Sequence, residues 1–232
     1  NNFNEDEDEI NLNIQLFYYK ELIFNITKHE RVPKHIVLTE NEKAELLDIY
    51  AKRALKQGFA MTKYGEDDKK FAEEFNFELT PDQARAIDEI INDLKSKNPA
   101  DRLLCGDVGF GKTEVAMRAC FHCVQNMRQV AIVVPTTLLG QQHGERFEDR
   151  FANWPVEIAV LSRFKSAKEQ TEIKKKLASG HIDLVIGTHK LLSDDIKFKN
   201  LGLLIVDEEH RFGVSHKEKL KALRSQVDIL SM

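Results

Sequence analysis

An α/β domain, doubly wound around a mostly parallel sheet with helices on both faces, is the fold class that the sequence predicts. Three observations point to it. From Phe77 onward, six short apolar runs alternate with helical patterns, and none shows the period-2 alternation of a half-exposed strand. Each therefore reads as a strand buried on both faces. A complete G-x-x-x-x-G-K-[ST] string at 106–113 follows the first run and opens a helix. The chain of 232 residues is 42% hydrophobic and 31% charged, which suits one large domain or one domain with an extension.

In chain order, residues 1–40 form an acidic segment of unassigned role, opening on NNFNEDEDE; such runs are usually solvated tails. Residues 41–76 form a helical lead-in. Leu46, Leu47, Ile49, Tyr50, Ala54 and Leu55 lie on one face of a helix that Gly58 ends, and a charged helix follows over 67–75. Residues 77–232 form the nucleotide-binding lobe. Its expected strands are 103–105, 130–135, 156–162, 182–188, 203–208 and 227–232, and its expected helices are 81–96, 112–126, 137–151, 166–179 and 215–224. Ligands of such a sheet gather at the carboxyl ends of the strands.

Charge and cysteine content narrow the function classes. Of the net −4, all comes from residues 1–40, where eight acids face four bases, and the remainder balances. A surface coated in nucleic acid would be strongly basic, so any polyanion is bound by a local patch or by neutral donors. No apolar run approaches the roughly 20 residues of a membrane span. Three cysteines and no signal-peptide pattern exclude a secreted disulfide framework and lead us to expect a cytoplasmic protein. Cys120 and Cys123 share a helical face with Val115 and Ala119 and read as core rather than metal or redox ligands.

The string Gly106, Asp107, Val108, Gly109, Phe110, Gly111, Lys112, Thr113, with Glu114 after it, is the candidate nucleotide site. Its glycines let successive N–H groups and a helix N-terminus face phosphates, Lys112 reaches the β and γ groups, and Thr113 ligates Mg²⁺. Hydrolysis of ATP also needs an acid for the metal and a base for the water. LLIVDEEH at 203–210 offers Asp207 for Mg²⁺ and Glu208 as the base. Upstream, Thr80-Pro81-Asp82-Gln83 is a capping box, and the Gln83 amide equally suits an adenine edge, with Phe75 or Phe77 as a stacking face.

GDVGFGKTEVAMRA, VVPTTLLGQQH, IGTHKLL and LLIVDEEHRFGVSHKEKLK, in that order, resemble the motifs of a superfamily 2 DNA motor with a RecA-like lobe. RFGV is similar to the fork-remodelling helicases of the RecG type. DEEH, HKEKLK and SRFKSAKEQ at 162–170 favour the bacterial transcription-repair coupling family. The resemblance covers about 42–232, and residues 42–59 look like that family's relay helix.

It implies an ATP-driven double-stranded DNA translocase that removes stalled RNA polymerase and recruits excision-repair proteins, those two partners being held by other parts of a longer chain. By motif, the resemblance puts Gln83 and Phe75 on adenine, Asp207 and Glu208 at hydrolysis, and His210 at coupling of nucleotide to DNA. Pro135, Thr136, Thr137, Ser162, Arg163, Gly187, Thr188 and His189 fall where the family touches the DNA backbone. Read from the residues alone, Thr136, Thr137 and Thr188 are equally helix caps. The family continues past this sequence into a second lobe carrying an arginine finger, so weak ATP binding and little turnover are expected of these 232 residues alone. A non-hydrolysing, ATP-gated interaction module is the alternative of another class.

Overall fold

The computed structural model describes residues 58–107, 109–208, 223 and 226–232. The acidic segment 1–40, the helix expected over 41–57, Val108, His210 and nearly all of the helix expected over 215–224 lie outside the described residues.

The chain enters through α1 (Glu66–Glu73) and α2 (Pro81–Leu94) and then alternates. Strand β1 (Asp101–Leu103) leads to α3 (Lys112–Gln125), β2 (Gln129–Val133) to α4 (Thr137–Arg150), and β3 (Ile158–Leu161) to α5 (Ala167–Ser179). After β4 (Leu184–Gly187) come a 3-10 turn (His189–Leu192), β5 (Leu201–Val206) and β6 (Asp228–Ser231). The six strands form one sheet of order β1-β6-β5-β2-β4-β3 in which every pairing is parallel.

Successive side chains of a strand point to opposite faces, and the core divides accordingly. Ile132, Val134, Leu184, Ile186, Leu203, Ile205 and Leu230 pack on one face with Phe71 and with the buried sides of α2, α3 and α4. On the other, Val133, Val185, Leu204, Val206 and Ile229 pack against Ile173 and Leu177 of α5 and Leu191 and Leu192 of the 3-10 turn. Burial on both faces is why these strands carry no polar alternation.

Capping sets the helix starts. Thr80 Oγ1 accepts the Gln83 N–H at 3.2 Å while Gln83 Oε1 accepts the Thr80 N–H at 2.8 Å; Ser166 and Glu169 repeat the device at α5. Most element boundaries differ from the sequence reading, β5 by two residues at each end, and two of the differences have a local cause. The first strand is Asp101–Leu103 rather than 103–105. Among the described residues it is an edge strand whose one partner is β6, in register Asp101↔Ile229, so Leu103 is 61% exposed and the apolar run outlasts the strand. α1 starts one residue early, where Asp68 Oδ2 accepts the Gly65 N–H at 2.9 Å, and ends two residues early.

Candidate nucleotide-binding and hydrolytic site

The chain leaves β1 into the glycine-rich loop, which ends at Gly111, the cap of α3 with φ +69°. Only glycine suits that position: the backbone is left-handed, and a Cβ would lie 2.5 Å from Gln83 Nε2. α3 thus begins at Lys112 with its first turn and positive dipole end behind the loop, the arrangement that receives phosphate. Lys112 Nζ donates to the carbonyls of Gly106 at 2.5 Å and Asp107 at 3.2 Å. The ammonium therefore lies across the loop.

Gln83 joins this loop to α2. Besides closing the capping box, its Nε2 donates to the Phe110 carbonyl at 2.8 Å. One N–H and one lone pair of the amide remain for a nucleobase edge. Phe75 is half-buried and Phe77 is 75% exposed, with ring centroids 5.5 Å apart.

Glu114 is buried, and its carboxylate is held by two arginines, with Oε1 2.6 Å from Arg118 Nε and 3.1 Å from Arg150 Nη2. Arg150 also donates to the Phe71 carbonyl at 2.5 Å, and Arg118 to that of Ala72 at 3.1 Å. Both guanidinium groups come within about 6 Å of the Phe75 ring, a cation–π range. The sequence reading grouped Glu114 with the nucleotide; here its carboxylate ties the start of α3 to the segment that carries Phe75. Arg118 was within reach of that reading as an i,i+4 partner. Arg150, 36 positions away, was not.

Strand β5 delivers the acid pair. The Asp207 N–H donates to Val133 O and the Glu208 N–H to Met232 O, both at 2.9 Å. Glu208 has φ +51°, a conformation that costs a non-glycine residue energy and persists where the surroundings over-determine it. Asp207 Oδ2 lies 3.1 Å from Nε2 of the buried His143. His143 belongs to the motif string after β2, yet no local pattern assigns it a role. The ladder continues past the strand ends through Leu104 N–H to Ser231 O at 2.7 Å and Met232 N–H to Val206 O at 3.0 Å. β1 and β5 are thus two strand spacings apart, about 10 Å, with the phosphate loop and the acid pair at the same edge of the sheet.

The remaining candidate residues occupy that edge too. Thr136 is the N-cap of α4, its hydroxyl accepting the Leu139 N–H at 3.2 Å, so its capping role is observed. Thr137 is the first residue of α4 and Pro135 precedes the cap. After β3, Ser162 Oγ accepts the Phe164 N–H at 3.3 Å, and the exposed Arg163 lies 5.5 Å from the Phe164 ring. Gly187 closes β4, where a Cβ would meet Leu161 O at 2.8 Å. Thr188 precedes the 3-10 turn without a side-chain cap bond, and His189 is exposed.

Known proteins resemble this chain. The chain is 63% identical over 189 residues to the transcription-repair-coupling factor of Escherichia coli (strain K12) and 59% identical over 189 residues to that of Haemophilus influenzae. In each case the match covers 82% of this chain and 16% of the relative, so the chain spans about a sixth of their length. The solved structure of RecG bound to a three-way DNA junction superposes with a TM-score of 0.71 at 38% identity, covering 82% of this chain and 26% of that one. The resemblance of the motif strings to the transcription-repair coupling family is thereby borne out. A model of the RNA polymerase Rpb5 C-terminal domain matches residues 24–56, outside the described residues. The model of the DEAD/DEAH box helicases matches residues 80–232, and the chain belongs to that family.

Proposed function

We propose that this chain is the ATP-binding lobe of a double-stranded DNA translocase that removes stalled RNA polymerase and couples transcription to nucleotide excision repair. One observation carries the reading: the phosphate loop after β1 and the acids after β5 share one sheet edge, with β6 between them. That spacing fits a triphosphate lying from the start of α3 toward Asp207 and Glu208.

In this reading the α3 N–H groups and Lys112 hold the β- and γ-phosphates, and Glu208 takes the proton of the attacking water. Gln83 and Phe75 hold the adenine, and His210 links nucleotide state to DNA. The Thr113 hydroxyl and the Asp207 carboxylate would hold Mg²⁺, a hard cation that uses one or two carboxylates beside substrate phosphates rather than a protein cage. The residues fit it: a hydroxyl and one carboxylate are hard oxygen donors of the kind this cation takes, and the Asp207 carboxylate is held by His143. Mg²⁺, when bound, offsets the charge of the phosphate oxygens.

Backbone contacts to DNA are assigned to Pro135, Thr136, Thr137, Ser162, Arg163, Gly187, Thr188 and His189. Hydroxyls and backbone N–H groups suit sequence-independent phosphate contacts, and the near balance of charge outside residues 1–40 requires no broad basic surface. Phe110, Leu138 and Phe164 are each more than 60% exposed beside these strand ends. This open apolar edge supports little turnover by the lobe until a second surface closes on it.

The 38% identity to RecG supports a second reading, a fork-remodelling motor. Displacement of a stalled polymerase, as against reversal of a model fork, by the whole protein separates the two. The nucleotide reading is tested by Lys112→Ala. Losing a charge-assisted bond to phosphate should weaken binding of a fluorescent ATP analogue by roughly 10- to 100-fold at unchanged thermal midpoint. Equal affinity of the variant would overturn it.

A further inference from the structure

Gly140, His143, Gly144 and Phe147 are the buried residues of α4. The His143 imidazole is 8% exposed, and its Nε2 meets Asp207 Oδ2 at 3.1 Å across 64 positions of sequence. An ionised carboxylate only accepts hydrogen bonds, so the proton of this bond lies on Nε2, and in the neutral ring Nδ1 is the bare nitrogen. That Nδ1 is fully buried and has no hydrogen-bond partner among the described residues. A buried acceptor left unmade costs about 1–3 kcal/mol, a cost that an apolar side chain packed on Phe147 in its place would avoid. The N–H on the far side of the ring is what an apolar residue could not supply, and it ends on the first acid after β5.

We propose that His143 is a positioning residue for the hydrolytic site: its Nε2–H fixes the Asp207 carboxylate through one oxygen and leaves the other for the metal. The proposal rests on the reading of Asp207 as the acid that holds Mg²⁺. Asp207 has its backbone anchored through the bond to Val133 O, and the histidine removes the rotation that remains about its side chain. Hydrogen-bonded partners of metal-holding groups act in this way, by orienting the ligand rather than by touching substrate.

The test compares His143→Gln, whose amide N–H can stand in for Nε2–H, with His143→Leu, which keeps bulk and removes the donor. The readout is the gain in affinity of the 232-residue chain for a fluorescent ATP analogue when Mg²⁺ is added. His143→Leu should lose about 10- to 100-fold of that gain while its metal-free affinity stays within about twofold, and His143→Gln should keep most of it. A leucine variant with the full Mg²⁺ gain overturns the proposal, as does a glutamine variant that loses as much as leucine.

Should the leucine variant not fold, the glutamine variant is combined with Asp207→Ala. In that background His143→Gln should change the Mg²⁺ gain no further, and an additional loss overturns the proposal. If Asp207→Ala alone leaves the Mg²⁺ gain intact, the metal-site reading fails first. If Asp207→Ala removes it and His143→Leu does not, only the histidine's role falls.

Discussion

Glu114 shows how a residue next to a recognisable loop can serve the scaffold. Its carboxylate faces Arg118 and Arg150, all three nearly buried, and the two guanidinium groups reach on to the Ala72 and Phe71 carbonyls. Removing the acid leaves the nearly buried Arg118 without its anion and Arg150 with only the longer pair to Glu74 at 3.7 Å. Glu114→Ala should therefore destabilise the chain by about 3–5 kcal/mol, measured as a shift in urea midpoint at unchanged slope. A change below about 1 kcal/mol would mean the pairs act as surface pairs do. The phosphate-loop residues could be read from sequence because their chemistry is contiguous: three glycines, a lysine and a threonine in eight positions. Arg150 and His143 could not, since their partners lie 36 and 64 residues away and only the packing of α4 brings them together.

Among elements, the helices were readable wherever a cap accompanied the periodicity, as at Thr80, Thr136 and Ser166. β1 was misplaced by two residues because an edge strand follows its ladder rather than its hydrophobicity. An ion pair ties α5 to the segment after the 3-10 turn. Lys174 and then the Ser193 hydroxyl hydrogen-bond the Asp195 carboxyl and hold it at about 2. Since this is below the carboxylate's unfolded value near 3.9, the pair's stabilisation is present above about pH 4 and fades as pH falls toward about 2. Thermal midpoints of Asp195→Asn and the parent chain should therefore differ near neutral pH and converge over that interval. A constant difference across it would contradict the assignment.

At the scale of the molecule, the alternation of buried runs and helices foretold the doubly wound architecture, but not the order β1-β6-β5-β2-β4-β3, which no local pattern encodes. The core it builds encloses two of the three thiols. Cys120 and Cys123 are fully buried, and desolvation pushes both thiols far up, while Cys105 is exposed. A thiolate is the reactive form. A thiol reagent should modify Cys105 alone in the native chain and reach the other two at the rate of global unfolding, as mass spectrometry of timed samples would show. Equal native labelling of all three would rule out the packed core of α3.

The position of β6 has a consequence for how the chain acquires its shape during synthesis. Among the described residues β1 pairs with no strand but β6, Asp101 lying opposite Ile229. As residues emerge from the ribosome, β2, β3, β4 and β5 can assemble once position 206 is out, whereas the strand that bears the phosphate loop must wait for residues 228–231. Closing so long a loop is slow. A nascent chain thus holds most of its sheet before it holds the loop that would grip a nucleotide, and nucleotide binding is deferred until β6 slots between β1 and β5.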